Sequence, residues 1–209
     1  IAGKSEDDNS NSRAVVWHGD QWQNIQPLLP LNKDVEKQAT PRAISYNGDV
    51  IVGHSAGAKN KVKGATLWHG KDWQTVKSLK TWFDETILHD SEANAINGDG
   101  TVIVGGIESK DDPDAYTAAV WHGENWDTVT ALLTLKKDNS GSATALATNH
   151  SGDFIAGISD IDDGSKQQGI VWYGQDWQNK MQLPLPKSTT SIAEDYTNWI
   201  TEPKAISDN

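Results

Sequence analysis

The chain has 209 residues and a formal net charge of −11. An acidic surface disfavours nucleic acid and anionic membranes as partners, because both reward clustered Lys and Arg. There is no cysteine, which excludes disulfides and thiolate chemistry, and no segment approaches the roughly 20 consecutive apolar residues of a membrane helix.

A tryptophan motif recurs four times along the chain. Its first copy is Trp17-His18-Gly19-Asp20-Gln21-Trp22, and later copies begin at Trp68, Trp121 and Trp172. The spacing of about fifty residues predicts one supersecondary unit repeated along the chain. Each motif joins two apolar runs through a short glycine-containing loop. We therefore predict a β-hairpin in which the two tryptophan rings meet across the strands.

A second pair of strand-like runs precedes the later tryptophan motifs, at residues 43–53, 95–105 and 147–157. Asn-Gly, Asp-Gly or Ser-Gly separates the two runs, and glycine in that place predicts a tight hairpin. The run Val50-Ile51-Val52 is continuously apolar rather than alternating, which is typical of a strand buried on both faces.

One repeat thus contains four strands, and no long helical periodicity competes with them. The predicted fold is all-β: a β-propeller of four-stranded antiparallel blades of about 50 residues, with four repeats in this chain. We expect residues 1–209 to form a single propeller domain or a fragment of a larger one. The approximate repeats are 1–42, 43–94, 95–146 and 147–204.

The two chain ends complement each other. Residues 1–3 match 51–53, and residues 205–209 match 43–47. We therefore expect 205–209 to pair with the segment 1–42, so that the N- and C-terminal strands share one blade. The alternatives are that the chain is a window on a longer array, which supplies the remaining blades, or that a second copy completes a larger ring.

The repeated pattern resembles a known family. An Ala-Ile-Ser-x-Asn-Gly-x-Val-Ile-Val-Gly segment followed by Ala-x-x-Trp, as in residues 43–53 and 65–68, is similar to the HAF-family extracellular repeat. The resemblance covers nearly the whole chain. It departs at the family's His-Ala-Phe step, where this chain has Arg13-Ala14-Val15. The resemblance implies a secreted or surface-displayed bacterial propeller, such as an autotransporter passenger, and no catalytic residues.

Candidate metal ligands fall in two groups. His18, His69 and His122 share one motif position, but they belong to different blades, so we interpret them as turn residues with a structural or solvent-exposed role rather than zinc ligands. Acidic loop residues loosely resemble a calcium loop but lack its full ligand spacing. They are weak calcium candidates and otherwise solvated acids: Asp160, Asp162, Asp163, Asp111, Asp112 and Asp114. We expect no cofactor.

Candidate ligand-binding residues lie outside the repeated motif. The motif tryptophans are interpreted as buried hairpin anchors. Trp82 and Trp199 are the two tryptophans outside the pattern, and Trp199 lies with Tyr196 in an insertion in the last repeat. These three residues are therefore our candidates for exposed contacts with a ligand.

The functional hypothesis is a non-enzymatic module at the bacterial cell surface or outside the cell. It would bind a protein or glycan, as in adhesion, through the variable loops between the second and third strands of each blade. It would not bind nucleic acid or insert into a membrane. The first alternative is a carbohydrate-binding, lectin-like propeller. The second is a propeller hydrolase that uses loop carboxylates such as Asp112 or Asp162.

Overall fold

The computed structural model describes residues 1–6, 12–32, 39–56, 63–83, 89–162, 166–185 and 201–208. Within these ranges it has fifteen strands in four antiparallel sheets. Sheet I consists of β1 (Ala2–Glu6), β2 (Ser12–His18) and β3 (Asn24–Pro27). Sheet II consists of β4 (Ala39–Ile44), β5 (Ile51–Ala56), β6 (Lys63–His69) and β7 (Thr75–Ser78).

The other two sheets repeat the same plan. Sheet III consists of β8 (Ser91–Ile96), β9 (Ile103–Glu108), β10 (Tyr116–His122) and β11 (Thr128–Ala131). Sheet IV consists of β12 (Ala143–Thr148), β13 (Phe154–Asp160), β14 (Gln167–Tyr173) and β15 (Asn179–Gln182). Consecutive strands are hydrogen-bonded neighbours in every sheet. The prediction of an all-β chain built from antiparallel meanders is confirmed.

Each sheet packs face to face on the next one. The first strands β4, β8 and β12 contact one another in series, and β1 contacts β4. Three apolar clusters fill the gaps between sheets I and II, II and III, and III and IV. Sheets I and IV share no strand pairing among the described residues, so the structure shows a row of stacked sheets without closure.

The apolar second strands lie inside these clusters. Ile51 and Val52 are both fully buried, and they pack against opposite neighbours, Ile51 with sheet I and Val52 with sheet III. The same is true of Ile103 and Val104, which pack against sheets II and IV. The prediction that these strands are buried on both faces is confirmed, and it explains why they do not alternate with polar residues.

The second tryptophan of each motif corrects one prediction. It does not open the fourth strand, and it does not pair with the first tryptophan. Trp68 on β6 lies opposite Val76 on β7, whereas Trp73 ends a single 3₁₀ turn with φ 54°. Its indole Nε1 donates to the carbonyl of Gly48, 2.7 Å away, in the first hairpin of the same sheet. The second ring therefore fastens two turns at one end of the sheet.

The first tryptophan joins neighbouring sheets. Trp68, Trp121 and Trp172 are fully buried. Each Nε1 donates to a carbonyl of the preceding sheet's trailing segment, with Leu29, Lys80 and Leu133 as the respective acceptors, at 2.6–2.7 Å. A buried indole N–H usually finds such a partner. These bonds therefore fix how far one sheet sits from the next.

The repeated histidines lie at the same joints. The ring of His18 meets the edge of Trp73 in the next sheet at 5.6 Å, and His69–Trp126 and His122–Trp177 repeat that contact. The sequence predicts turn residues, but His18, His69 and His122 are the last residues of β2, β6 and β10, and their structural role is packing between sheets. No three His, Asp or Glu side chains in the described part of the chain lie close enough together to hold a metal ion.

A β-bulge and a glycine meet at the centre of sheets II, III and IV. The register between the first two strands shifts after Pro41, Ala93 and Ala145, and these residues lie opposite Gly53, Gly105 and Gly157. A Cβ on any of the three glycines would come within 1.9–2.1 Å of a first-strand carbonyl oxygen. Glycine is needed there because the bulged backbone approaches too closely for any side chain.

Candidate functional site

A polar cluster lies at the end of the sheets where the first strands begin. Glu92, the second residue of β8, receives hydrogen bonds from two cations of sheet II. Arg42 Nη2 on β4 is 3.2 Å from Glu92 Oε2, and Lys63 Nζ on β6 is 3.0 Å from Glu92 Oε1. The carboxylate thus ties sheet II to sheet III and is already neutralised by protein charges.

A cleft opens beside this carboxylate. It has a volume of about 200 Å³ and is lined by Glu92, Gly106, Tyr116 and Thr144, which lie on β8, β9, β10 and β12. The cleft has this volume because residue 106 is a glycine and has no side chain to fill it. A Cβ there would lie 3.3 Å from the Tyr116 ring and 3.5 Å from Thr144, and the counterparts of Gly106 in sheets II and IV are the larger His54 and Ile158.

Acidic groups surround the phenol of Tyr116. Its hydroxyl donates to Asp90 Oδ2 at 3.4 Å. Burial raises the pKa of Tyr116 to about 12, with further contributions from Asp90, Glu92 and Glu108. The phenol therefore keeps its proton at any physiological pH and acts as a neutral hydrogen-bonding group.

The wall behind Tyr116 is braced by its own contacts. Glu108 Oε2 accepts from the backbone N–H of Asp90 at 3.0 Å, and Glu108 Oε1 lies 3.1 Å from His89 Nδ1. The backbone N–H of Lys63 donates to Asp90 Oδ1 at 2.9 Å. The Lys63–Asp90 bond joins sheet II to sheet III, and the Glu108 contacts brace sheet III itself, so the cleft is held in place before any ligand arrives.

Two ionisable groups at the same end have shifted pKa values. Burial lowers the pKa of His54; the charge of Glu92 opposes this, and the cations of Arg42 and Lys63 add to it. Burial raises the pKa of Glu92, but the Lys63 hydrogen bond and the charges of His54, Lys63 and Arg42 outweigh burial and lower it overall. His54 is thus held neutral and Glu92 ionised.

Acidification should destabilise the fold through His54. Its folded pKa lies below its ordinary value of 6.5, so the neutral ring stabilises the fold above that pH, and this contribution is lost as pH falls through the folded pKa. The folded pKa of Glu92 is also lowered, so its contribution is lost only as pH falls below the ordinary value of 4.5. We expect the urea midpoint to fall between about pH 8 and about pH 5, and His54→Gln to reduce that fall. Equal pH dependence in both proteins would contradict this.

Trp82 is the one predicted ligand-binding residue that the structure describes, and it does not line this cleft. Trp82 is half-buried and packs against the cluster between sheets II and III. Trp199, Tyr196 and Asp163 lie outside the described residues. Whether Trp82 contacts a ligand stays a prediction.

Three of the described acidic residues accept hydrogen bonds from backbone N–H groups. Asp160 Oδ2 accepts from the N–H of Ser142 at 2.8 Å, Asp162 Oδ1 accepts from that of Lys137 at 3.0 Å, and Asp112 Oδ1 accepts from that of Asp114 at 3.0 Å. Asp111 is exposed. The carboxylates of Asp160 and Asp162 thus tie their strand and loop to the segment 137–142, and the described acidic residues do not form a calcium cluster.

Sequence reasoning missed the cleft, although two signals point to it. The position of Glu92 is Thr40 in sheet II and Thr144 in sheet IV, so a charge replaces a hydroxyl in sheet III, and Glu202 holds the same position in the C-terminal segment. Sheet III also has two consecutive glycines, Gly105 and Gly106. Comparing the repeats position by position would have singled out both. The arrangement offers a neutral phenol, a hydroxyl and a neutralised carboxylate, which suits hydrogen bonding to a polar ligand.

Comparisons with known proteins support the fold and no more. No family model matches the chain and no curated protein does, so the HAF resemblance stays a prediction. The fold is similar to the crystal structure of TolB from Acinetobacter baumannii, with a TM-score of 0.54 and 14% identity over 82% of this chain and 37% of that one. It is also similar to a putative TolB from Agrobacterium tumefaciens, with a TM-score of 0.54 and 11% identity over 87% of this chain and 59% of that one. The chain therefore has a TolB-like β-propeller fold.

Proposed function

We propose that this chain is a binding module of a secreted or surface-displayed bacterial protein, and that it holds a protein or glycan at the end of the propeller where the Glu92–Tyr116 cleft opens. The observation that carries this is the cleft itself. It forms in sheet III beside Glu92, where Gly106 replaces the larger His54 and Ile158 of sheets II and IV. Residues that depart from a repeat are those that repeat packing does not require.

The extracellular setting rests on two weaker supports. The sequence pattern resembles extracellular repeats, and both similar structures come from bacteria. The described residues contain no helix that is long and apolar enough to cross a bilayer. We propose binding rather than catalysis because the cleft carboxylate is neutralised by Arg42 and Lys63 and the neighbouring phenol keeps its proton, which leaves neither poised as a base.

We also propose that the stacked sheets belong to a closed propeller. Sheet I has three strands and lacks a counterpart of β4, β8 and β12 among the described residues. A strand with the sequence of residues 201–208 would complete it, as the matching chain ends predict. Closure would place the cleft on a ring of first strands around one axis.

Binding is tested with glycan arrays and with arrays of extracellular-matrix proteins. We expect Tyr116→Phe and Glu92→Gln each to weaken binding about tenfold, the effect of one lost hydrogen bond of roughly 1–1.5 kcal/mol. Gly106→Ala should weaken it by narrowing the cleft. The matched control is Glu124→Gln, an isosteric change on an exposed turn at the opposite end of the sheets. Equal binding by all four variants and the unaltered protein would contradict the assignment of the cleft.

The same arrays distinguish the carbohydrate alternative. Tyr46 is 87% exposed at the opposite end, in the first hairpin of sheet II, and its ring meets the edge of His150 at 5.5 Å. An exposed aromatic face is a platform on which a sugar ring can stack. Sugar binding that is lost in Tyr46→Ala and kept in Glu92→Gln would favour a lectin-like propeller that binds at that end.

A further inference from the structure

The first sheet exposes apolar residues that the other sheets bury. Ile1 is 56% exposed, whereas its counterparts Ile51, Ile103 and Ile155 are fully buried. Trp17 is half-buried, whereas Trp68, Trp121 and Trp172 are fully buried against the preceding sheet. The face of sheet I that points away from sheet II therefore has the composition of an interface between sheets.

The turn and last strand of sheet I show the same difference. Trp22 is 56% exposed and Ile25 is 58% exposed. Their counterparts in sheet II, Trp73 and Val76, are half-buried and pack on the cluster between sheets I and II, and Trp73 also meets the ring of His18. In each later sheet the preceding sheet covers these positions. No sheet covers these positions of sheet I in the described residues. The surface that would cover them is therefore expected to resemble the sheet faces that cover the matching positions of sheets II, III and IV.

The free edge of β1 also has space for a further strand. In sheets II, III and IV, a first-strand carbonyl approaches the central glycine so closely that no Cβ fits. At the matching Gly3, a Cβ would meet only the Trp17 ring, at 3.1 Å. Gly3 thus keeps the clearance that a bulged first strand requires, although no strand lies on that edge in the described residues.

The segment 201–208 has both the sequence and the position of a first strand. Residues 203–207 read Pro-Lys-Ala-Ile-Ser, and residues 41–45 on and after β4 read Pro-Arg-Ala-Ile-Ser. The N–H of Tyr46 donates to Gly98 O and that of Gly98 to His150 O, both at 2.9 Å. The N–H of His150 continues the series to Asp208 Oδ1 at 2.9 Å.

We propose that the open face of sheet I docks on sheet IV of a second copy of this chain, and that residues 201–208 of that copy pair with β1 as its missing first strand. This inference rests on the proposed closure of the propeller, and it adds that a second copy of the chain supplies the strand that completes sheet I. Residues 201–208 lie against their own sheet IV, with Thr201 O only 3.2 Å from the point that a Cβ on Gly169 would occupy, as the first strand of each later sheet lies against the sheet before it. We choose a second copy over the same chain because β1 and residues 201–208 of one chain are not paired. Sheets I and IV of one chain share no pairing among the described residues.

The register of this contact follows from sheet II. There Thr40 lies opposite His54 and Pro41 opposite Gly53, so Glu202 would lie opposite Lys4 and Pro203 opposite Gly3. Opposite charges then face each other across the new strand pair, which favours this register. The contact is head-to-tail, because sheet I of one copy meets sheet IV of the next. The assembled copies form a closed ring if the rotation between them permits, and an open filament otherwise.

The pairing can be tested by cross-linking because the chain has no cysteine. Lys4→Cys and Glu202→Cys are made in separate chains, mixed and oxidised. We expect a disulfide-linked dimer with one chain of each kind, because paired strands bring the two Cα atoms within disulfide range. The double variant should form linked species of two or more chains. A disulfide within single chains of the double variant would overturn the second copy while keeping closure, and no cross-link in either experiment would overturn both.

Gly3→Ala provides an independent test. Its Cβ should block the incoming strand and shift the protein from assembled to monomeric in sedimentation, while circular dichroism shows the native fold. Gly64→Ala is the control, because its backbone is not in the left-handed region and a Cβ there would make only ordinary contacts, the nearest at 3.5 Å, so it should assemble normally. A wild-type protein that stays monomeric at its highest soluble concentration, or a Gly3→Ala variant that assembles as well as wild type, would contradict the docking. Loss of ligand binding at the cleft alone would leave this result unchanged.

Discussion

Replacing Trp121 with alanine is expected to lower the free energy of unfolding by roughly 3–5 kcal/mol. The side chain is fully buried in the cluster between sheets II and III. Its Nε1 donates to Lys80 O at 2.6 Å, so the substitution leaves both a cavity and a carbonyl without its donor. A loss of this size is a large part of the total stability of a domain. Urea or thermal unfolding of the two proteins measures it.

Trp22→Ala is the control for this substitution. Trp22 is more than half exposed in the turn of sheet I, so in dilute protein its removal should change the unfolding free energy by less than about 1 kcal/mol. Similar losses at Trp121 and Trp22 would show that tryptophan burial between sheets does not hold the array together.

Gly105→Ala is expected to be about as damaging, with a loss of at least about 3 kcal/mol or failure to fold. The new Cβ would lie 1.9 Å from the carbonyl oxygen of Glu92. That atom belongs to the backbone of β8, which cannot rotate away as a side chain can. The substitution must therefore distort the bulge or disrupt the pairing of β8 with β9.

The chain offers a matched control for the glycine substitution. Gly3 occupies the same place in sheet I, where a Cβ would meet only the ring of Trp17. In dilute protein, Gly3→Ala should therefore cost less than about 1 kcal/mol. Chemical denaturation of both variants measures the difference. If Gly105→Ala is as mild as Gly3→Ala, the close approach of the bulge is not a constraint on the fold.

The repeat and its strands were predictable because local signals specify them. Asn47-Gly48 and Ser151-Gly152 mark hairpins, and Gly48 and Gly152 take the positive φ expected of them. Burial of the second strand on both faces followed from Val50-Ile51-Val52. In each case the residues that predict the hairpin or the strand are the same residues that form it. The sequence of a single repeat is therefore enough for the prediction.

The turn between the third and fourth strands was not predictable in the same way. Asp72 and Trp73 both adopt positive φ, a conformation that costs about 1–2 kcal/mol for each non-glycine residue. The Asp, Asn or Gln before the second tryptophan hints at it only weakly. What stabilises the turn is the indole bond to Gly48 O, a contact between residues 25 positions apart.

The cleft was missed because no single repeat contains it. Arg42 and Lys63 come from sheet II, Tyr116 from sheet III and Thr144 from sheet IV, and only the stacking of the sheets brings them to Glu92. The interactions that matter there are between repeats, whereas sequence patterns describe a repeat by itself.

The serial stacking of the sheets has a consequence for how the molecule loses order. Each described sheet is supported mainly by its immediate neighbours, with the Tyr46–His150 ring contact between sheets II and IV as an exception, so its protection against local opening depends on how many neighbours it has. Sheet I, with three strands and one neighbour, would open first, and its opening would leave the others intact. Sheets II and III, with neighbours on both sides, would keep their amide protons longest, so most of the cleft is formed in the part of the molecule that opens last.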